Sequence, residues 1–152
     1  QHPIEDLHRW REDFVQTKIE PLIGQAALDL VEKHRLAGDT LLIITATNTF
    51  VTRPIADRFG IQHLIGTDPE QQDGRYTGRV SGIPSFREGK VERLHAWLAQ
   101  PGEALAGAHF YSDSHNDLPL LELVDQPAVV DPDPQLRARA EQAGWPILNL
   151  HA

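Results

Sequence analysis

The chain has 152 residues and a mass of 17.0 kDa, with 40% hydrophobic and 24% charged residues, enough for a real core in one ordinary globular domain. It has no cysteine, which excludes disulfides, thiolate zinc sites and cysteine nucleophiles. A net charge of -8 argues against nucleic acid or an anionic membrane as partner, and no apolar run approaches the ~20 residues of a membrane helix. A cytoplasmic location is the expectation. The eight histidines, His2, His8, His34, His63, His95, His109, His115 and His151, lack zinc-site spacing, and most read as surface residues. The chain begins Gln1-His2-Pro3 and contains no Met, so the expectation is that an N-terminal piece has been removed.

Residues 4 to about 19 carry Leu7, Trp10 and Phe14 at helical intervals and predict an amphipathic helix. Pro21 starts a second helix over about 22–36, which Gly38 ends. Residues 40–47 form a continuous apolar, β-rich run, predicting a strand buried on both faces of a parallel sheet. Asn48 or Thr49 then caps a helix to Phe59, stopped by Gly60, and residues 61–67 give another strand. Asp73-Gly74 lies between strand-like residues and supplies the positive φ angles of a hairpin turn.

Residues 89–98 predict a helix with Val91, Leu94, Trp97 and Leu98 on one face. A strand over 107–111, a helix over 116–124, a strand over 128–130, a helix over 134–143 and a last strand over 146–150 complete the chain. Strands alternate with helices, so the expected fold class is α/β: a Rossmann-like, mostly parallel sheet with helices on both faces.

Three polar points stand at strand or helix ends. Thr45-Ala46-Thr47-Asn48 runs from an apolar strand into a helix start, where hydroxyls and backbone N–H groups suit a phosphate; Thr47 and Asn48 serve equally as ordinary caps. Lys90 stands at a helix start, where a cation opposes the dipole; most lysines there are simply solvated. Asp113 and Asp117 flank small polar residues just after an apolar strand, at the sheet edge where ligands bind. Two carboxylates without His or Cys ligands suit Mg²⁺ rather than zinc. The same segment also reads as a capped helix start, with Ser114 or Asn116 as the cap and Asp117 answering the dipole.

Taken in order, Ile43-Ile44-Thr45-Ala46-Thr47-Asn48, Gly89-Lys90 and Tyr111-Ser112-Asp113-Ser114-His115-Asn116-Asp117 resemble the second, third and fourth motifs of the haloacid dehalogenase superfamily, in its phosphoserine-phosphatase-like branch. The hairpin at residues 74–78 and the tail around Val130-Asp131-Pro132-Asp133-Pro134 and Gly144-Trp145-Pro146 are also similar. The resemblance implies a core over residues 21–152, with residues 1–20 as the end of a helical cap. It implies that Thr45 bonds the transferring phosphoryl group, with Ala46, Thr47, Asn48 and Asn116 around the phosphate. Lys90 would balance its charge, Asp113 would ligate Mg²⁺, and Asp117 would support the metal site and orient Lys90. The expected activity is hydrolysis of a small phosphorylated metabolite through an aspartyl-phosphate, by a monomer or homodimer.

The chain departs from the family at its first motif. No Asp-x-Asp-x-Thr or Asp-x-Asp-x-Val occurs; Asp131-Pro132-Asp133 alone has Asp-x-Asp spacing, and it follows the fourth motif, so neither aspartate is assigned as nucleophile. The nucleophile and first strand are expected from a preceding segment. The alternative is a nucleophile-less protein that binds phosphate and Mg²⁺ without turnover. A nucleotide-binding Rossmann domain has no Gly-x-Gly-x-x-Gly or Walker lysine to support it.

Overall fold

The computed structural model describes residues 2–150; His151 lies outside them. The chain divides into two compact units, Gln1–Ser85 and Phe86–Ala152.

In the first unit, α1 (Ile4–Phe14) runs into a π-helical turn, Val15–Ile19, and a 3-10 turn, Glu20–Leu22, that contains Pro21. The expected apolar face of α1 is only partly covered: Trp10 and Phe14 stay nearly half exposed, while Val15 in the π turn is fully buried. α2 (Gln25–Ala37) ends as expected, with Gly38 in the left-handed region at φ 84°. β1 (Leu42–Asn48) leads into α3 (Thr49–Arg58), then β2 (His63–Gln72) and β3 (Arg75–Ser81).

β1 pairs with β2 in parallel and β2 with β3 antiparallel, in the order β1-β2-β3. The expectation that β1 is buried on both faces does not hold: its first four residues are half-buried and its last three exposed. As an edge strand of its sheet, β1 has a neighbour on one side only among the described residues. The hairpin turn is as expected, with Asp73 at φ 50° and Gly74 at φ 72° between the paired Gln72 and Arg75. Arg58 ties α3 to the first helical segments through Glu12 at 2.6 Å and Glu20 at 2.8 Å.

The second unit holds α4 (Glu88–Leu98), β4 (His109–Ser112), a 3-10 turn (His115–Asp117), the single-turn α5 (Leu118–Leu121), β5 (Gln126–Val130), α6 (Pro134–Ala143) and β6 (Ile147–Leu148). β4, β5 and β6 form an all-parallel sheet in that order. Its core is Leu121, Val129, Leu136 and Ala140, all with no exposed surface, packed by Phe110, Leu118 and Trp145. The helix expected over 116–124 is much shorter, because residues 115–117 take a 3-10 turn before Pro119 opens α5.

The α/β class and the mainly parallel pairing agree with the sequence, with the strands spread over two three-stranded sheets, one in each unit. None of the described histidines is buried, and no described helix is long and apolar enough to cross a membrane.

Candidate active site

In the first unit the β1–β2 ladder is regular through Ile44↔Ile65 and resumes at Asn48↔Thr67. Between these pairs β1 spends Thr45, Ala46 and Thr47, whereas β2 spends only Gly66, so the candidate phosphate segment bulges out of the ladder. Gly66 makes room for it. A Cβ there would lie 2.8 Å from Thr49 Cγ2 and 3.0 Å from the Thr47 carbonyl oxygen, too close for any other residue without a shift.

The bulge is fixed by short bonds. Thr67 Oγ1 donates to the Ala46 carbonyl at 2.8 Å and accepts from the Ser85 N–H at 3.1 Å. Asn48 caps α3, its Oδ1 accepting from Val51 N–H at 3.0 Å, so its side chain performs the capping role. Thr45 Oγ1 accepts from Thr47 N–H at 3.2 Å, which leaves the threonine's own proton without an acceptor among the described residues. A hydroxyl so placed can donate to a ligand oxygen. Ala46 and Thr47 are exposed.

The second unit brings two predicted site residues, Lys90 and Asp117, together with Ser112 at the end of β4. Lys90 in the first turn of α4 is only 6% exposed, against the ordinary expectation for a lysine. Its Nζ donates to Asp117 Oδ1 at 2.5 Å, and Ser112 Oγ donates to Asp117 Oδ2 at 2.8 Å. Asp117 is itself only 8% exposed, so this is a buried ion pair with a hydroxyl on its far oxygen. The pair explains how a cation stands at a helix start: the adjacent carboxylate answers the dipole's opposition. Lys90 keeps two further N–H bonds to offer an anion.

Asp117 is thus placed as the partner that orients Lys90, and only its remaining lone pairs are left for a cation or its waters. Asp113, by contrast, is exposed, and its carboxylate has no hydrogen-bond or ion-pair partner among the described residues. An unpartnered carboxylate at a strand tip fits a hard cation as one oxygen ligand. The described residues hold no group of three His, Cys, Asp or Glu side chains that converge as a complete cage, so these side chains do not by themselves complete a cation's coordination.

Sequence reasoning missed three participants. Ser112 is buried and serves both ways, donating to Asp117 and accepting from the Ser114 N–H at 3.2 Å. Arg87, at φ 47°, donates from Nε to Asn116 Oδ1 at 3.2 Å, with its guanidinium carbon 5.2 Å from the Phe86 ring centroid. Asn116 Nδ2 in turn donates to Ser114 Oγ at 3.3 Å. The third is Asp133, whose Oδ1 accepts from Leu136 N–H at 2.8 Å while Oδ2 accepts from His115 N–H at 2.7 Å. Partial burial alone would raise the Asp133 pKa, but the Leu136 and His115 bonds prevail and hold it down at about 2. Asp131 is bonded too, its Oδ2 accepting from Leu150 N–H at 3.0 Å. Both carboxylates of the Asp131-Pro132-Asp133 motif are therefore occupied by N–H donors, in keeping with neither being a nucleophile.

The second unit thus sets a buried lysine–aspartate pair and an exposed carboxylate, unpartnered among the described residues, after a strand of a parallel sheet. The sequence model of the haloacid dehalogenase-like hydrolase family matches residues 1–122, and the chain belongs to that family. A histidinol-phosphatase from Neisseria meningitidis serogroup C (strain 8013) is 46% identical over 150 residues, covering 96% of this chain and 68% of its own length. A probable phosphatase from Mycobacterium tuberculosis is 37% identical over 132 residues, which is 87% of this chain but 46% of that protein. The chain thus spans from under half to about two thirds of these relatives.

Among solved structures, a Bordetella pertussis Tohama I protein of unknown function superimposes with a TM-score of 0.94 at 52% identity, over 98% of this chain and 68% of its own. A substrate-bound phosphoserine phosphatase gives a TM-score of 0.65 at 17% identity, over 82% of this chain and 58% of that one, a likeness of fold. The expected family agrees with these matches.

Proposed function

We propose that the protein is a Mg²⁺-dependent phosphomonoester hydrolase acting on a small phosphorylated metabolite, with histidinol phosphate the first substrate to test. The buried Lys90–Asp117 pair carries this reading, because a lysine held under a strand tip by its own counter-ion is suited to an anion that arrives and leaves. Histidinol phosphate is chosen because the 46% identical relative bears the name histidinol-phosphatase.

In this reading Thr45 donates its hydroxyl proton to a phosphoryl oxygen, and Asn116 and the backbone of residues 46–48 contact the same group. Lys90 stabilises the negative charge shared by the phosphoryl group and its attacker, while Asp117 keeps the ammonium aimed. Bound Mg²⁺, held through Asp113 and waters, would neutralise phosphate charge. The nucleophile is an aspartate outside these 152 residues. Its carboxylate oxygen bonds to phosphorus as the ester P–O bond breaks, and a second aspartate protonates the departing alkoxide. Water, giving a proton to the second aspartate, then attacks the phosphoaspartate, releasing inorganic phosphate and restoring both aspartates to their starting states. A cytoplasmic monomer or homodimer completes the proposal.

The test is inorganic phosphate release by the full-length protein from histidinol phosphate, phosphoserine and p-nitrophenyl phosphate, with Mg²⁺ or with excess EDTA. Metal-dependent turnover with the highest kcat/KM on histidinol phosphate is expected. Turnover favouring phosphoserine would overturn the substrate assignment, and binding without turnover would make this a phosphate-binding protein.

A further inference from the structure

Asp133 makes more bonds than capping α6 requires. A helix N-cap needs one acceptor oxygen, which Asp133 Oδ1 supplies to Leu136 N–H at 2.8 Å, and Ser, Thr or Asn would serve as well. The other oxygen is turned to the loop that follows β4. Asp133 Oδ2 accepts from His115 N–H at 2.7 Å and lies 3.0 Å from His115 Nδ1, which must carry a proton to bond an acceptor-only carboxylate. The Asp133 main-chain N–H closes the set by donating to the Asp113 carbonyl at 2.9 Å.

These bonds grip residues 113 and 115 from a segment 18 residues or more further along the chain. The gripped loop is the one that carries Asp113, Asn116 and Asp117. Asp117 is anchored by Lys90 and Ser112, and Asn116 by Ser114 and Arg87. Of these three side chains, Asp113 alone has no partner among the described residues, so among them only its backbone sets its direction.

Resting on the function proposed above, we propose that Asp133 is a positioning residue for the cation site, holding the backbone on both sides of Ser114 so that the Asp113 carboxylate is presented ready for Mg²⁺. The requirement for aspartate follows from acceptor count. It has two acceptor oxygens, one for the helix and one for the loop, whereas Asn has one acceptor and an NH₂ that would face the His115 N–H donors. Outer partners of this kind commonly govern metal affinity by 10-fold or more.

Asp133→Asn separates the two tasks, because Asn is a good N-cap and keeps the bond to Leu136. Two readouts are needed on the full-length protein: Mg²⁺ affinity by calorimetric titration without substrate, and amide hydrogen exchange without metal. Asp133→Asn is expected to weaken Mg²⁺ binding about 10-fold and to speed exchange at the His115 amide, while the Leu136 amide stays protected. Asp133→Ala should release both amides. If Asp133→Asn binds Mg²⁺ as the wild type does, or leaves His115 exchange unchanged, the positioning role is wrong and the carboxylate is a cap only. If the wild type binds no Mg²⁺ and shows no metal-dependent turnover, the proposed function fails and the positioning role with it.

Discussion

Removing one charge of the Lys90–Asp117 pair should be far worse for stability than removing both. The two groups are 2.5 Å apart, and their side chains are only 8% and 10% exposed. At an effective dielectric of about 20, two unit charges at that distance attract by about 7 kcal/mol, an attraction opposed by the several kcal/mol needed to desolvate each ion. The net worth of the pair is therefore small, but a lone survivor keeps its desolvation cost without the attraction. Asp117→Asn or Lys90→Met alone should cost roughly 3 to 5 kcal/mol. In a chain of this size that is a fall in Tm of about 6 to 20 °C.

The double variant Lys90→Met/Asp117→Asn removes both charges, and the asparagine Oδ1 still accepts from the Ser112 hydroxyl. It should return to within about 2 kcal/mol of the wild type. Phosphate release should be lost in all three. Urea denaturation of the four proteins reads the cycle directly. Additive losses, or single variants costing under about 1 kcal/mol as exposed pairs do, would refute the assignment of a buried, mutually dependent pair.

Gly66→Ala should destabilise by about 1 to 3 kcal/mol through overpacking against Thr49 Cγ2. Thr49→Ser, which removes that methyl and keeps the 3.0 Å bond to Asp68, should recover part of the loss in the double variant by thermal melting. Arg87→Ala should raise KM several-fold with little change in kcat, because the guanidinium contacts Asn116 rather than the Lys90 pair; an equal fall in kcat would contradict that placement. The Asp133 carboxylate, at about 2 when folded, lies below its ordinary value of 3.8, so its contribution is complete above pH ~4 and is lost as pH falls through about 2. With the group nearly a third exposed, screening reduces this to about 1 kcal/mol, and Asp133→Asn should flatten that part of the acid-denaturation curve.

Local rules located most of the helices and strands, because their signals are local. Gly38 ends α2, Asp73-Gly74 turns the hairpin, and Pro134 opens α6 just after its Asp133 cap. The burial of β1 was not legible, since an apolar run reads the same at a sheet's edge as at its centre. The bulge opposite Gly66 depends on how β1 and β2 meet, and neither strand announces it alone. The family resemblance implied that Asp117 orients Lys90, but the burial of the pair was not legible, because it depends on a contact between residues 27 apart. The Asp131-Pro132-Asp133 motif was legible as Asp-x-Asp, but its work lies in N–H donors from His115, Leu136 and Leu150.

The most direct test of the central claim compares Mg²⁺-dependent phosphate release from histidinol phosphate by the full-length wild type and by Asp113→Asn. Because Asp113 is exposed and has no partner among the described residues, the substitution should leave stability within about 0.5 kcal/mol. The account predicts a folded variant whose metal-dependent turnover is abolished. A folded Asp113→Asn variant with wild-type turnover and wild-type Mg²⁺ dependence would contradict it.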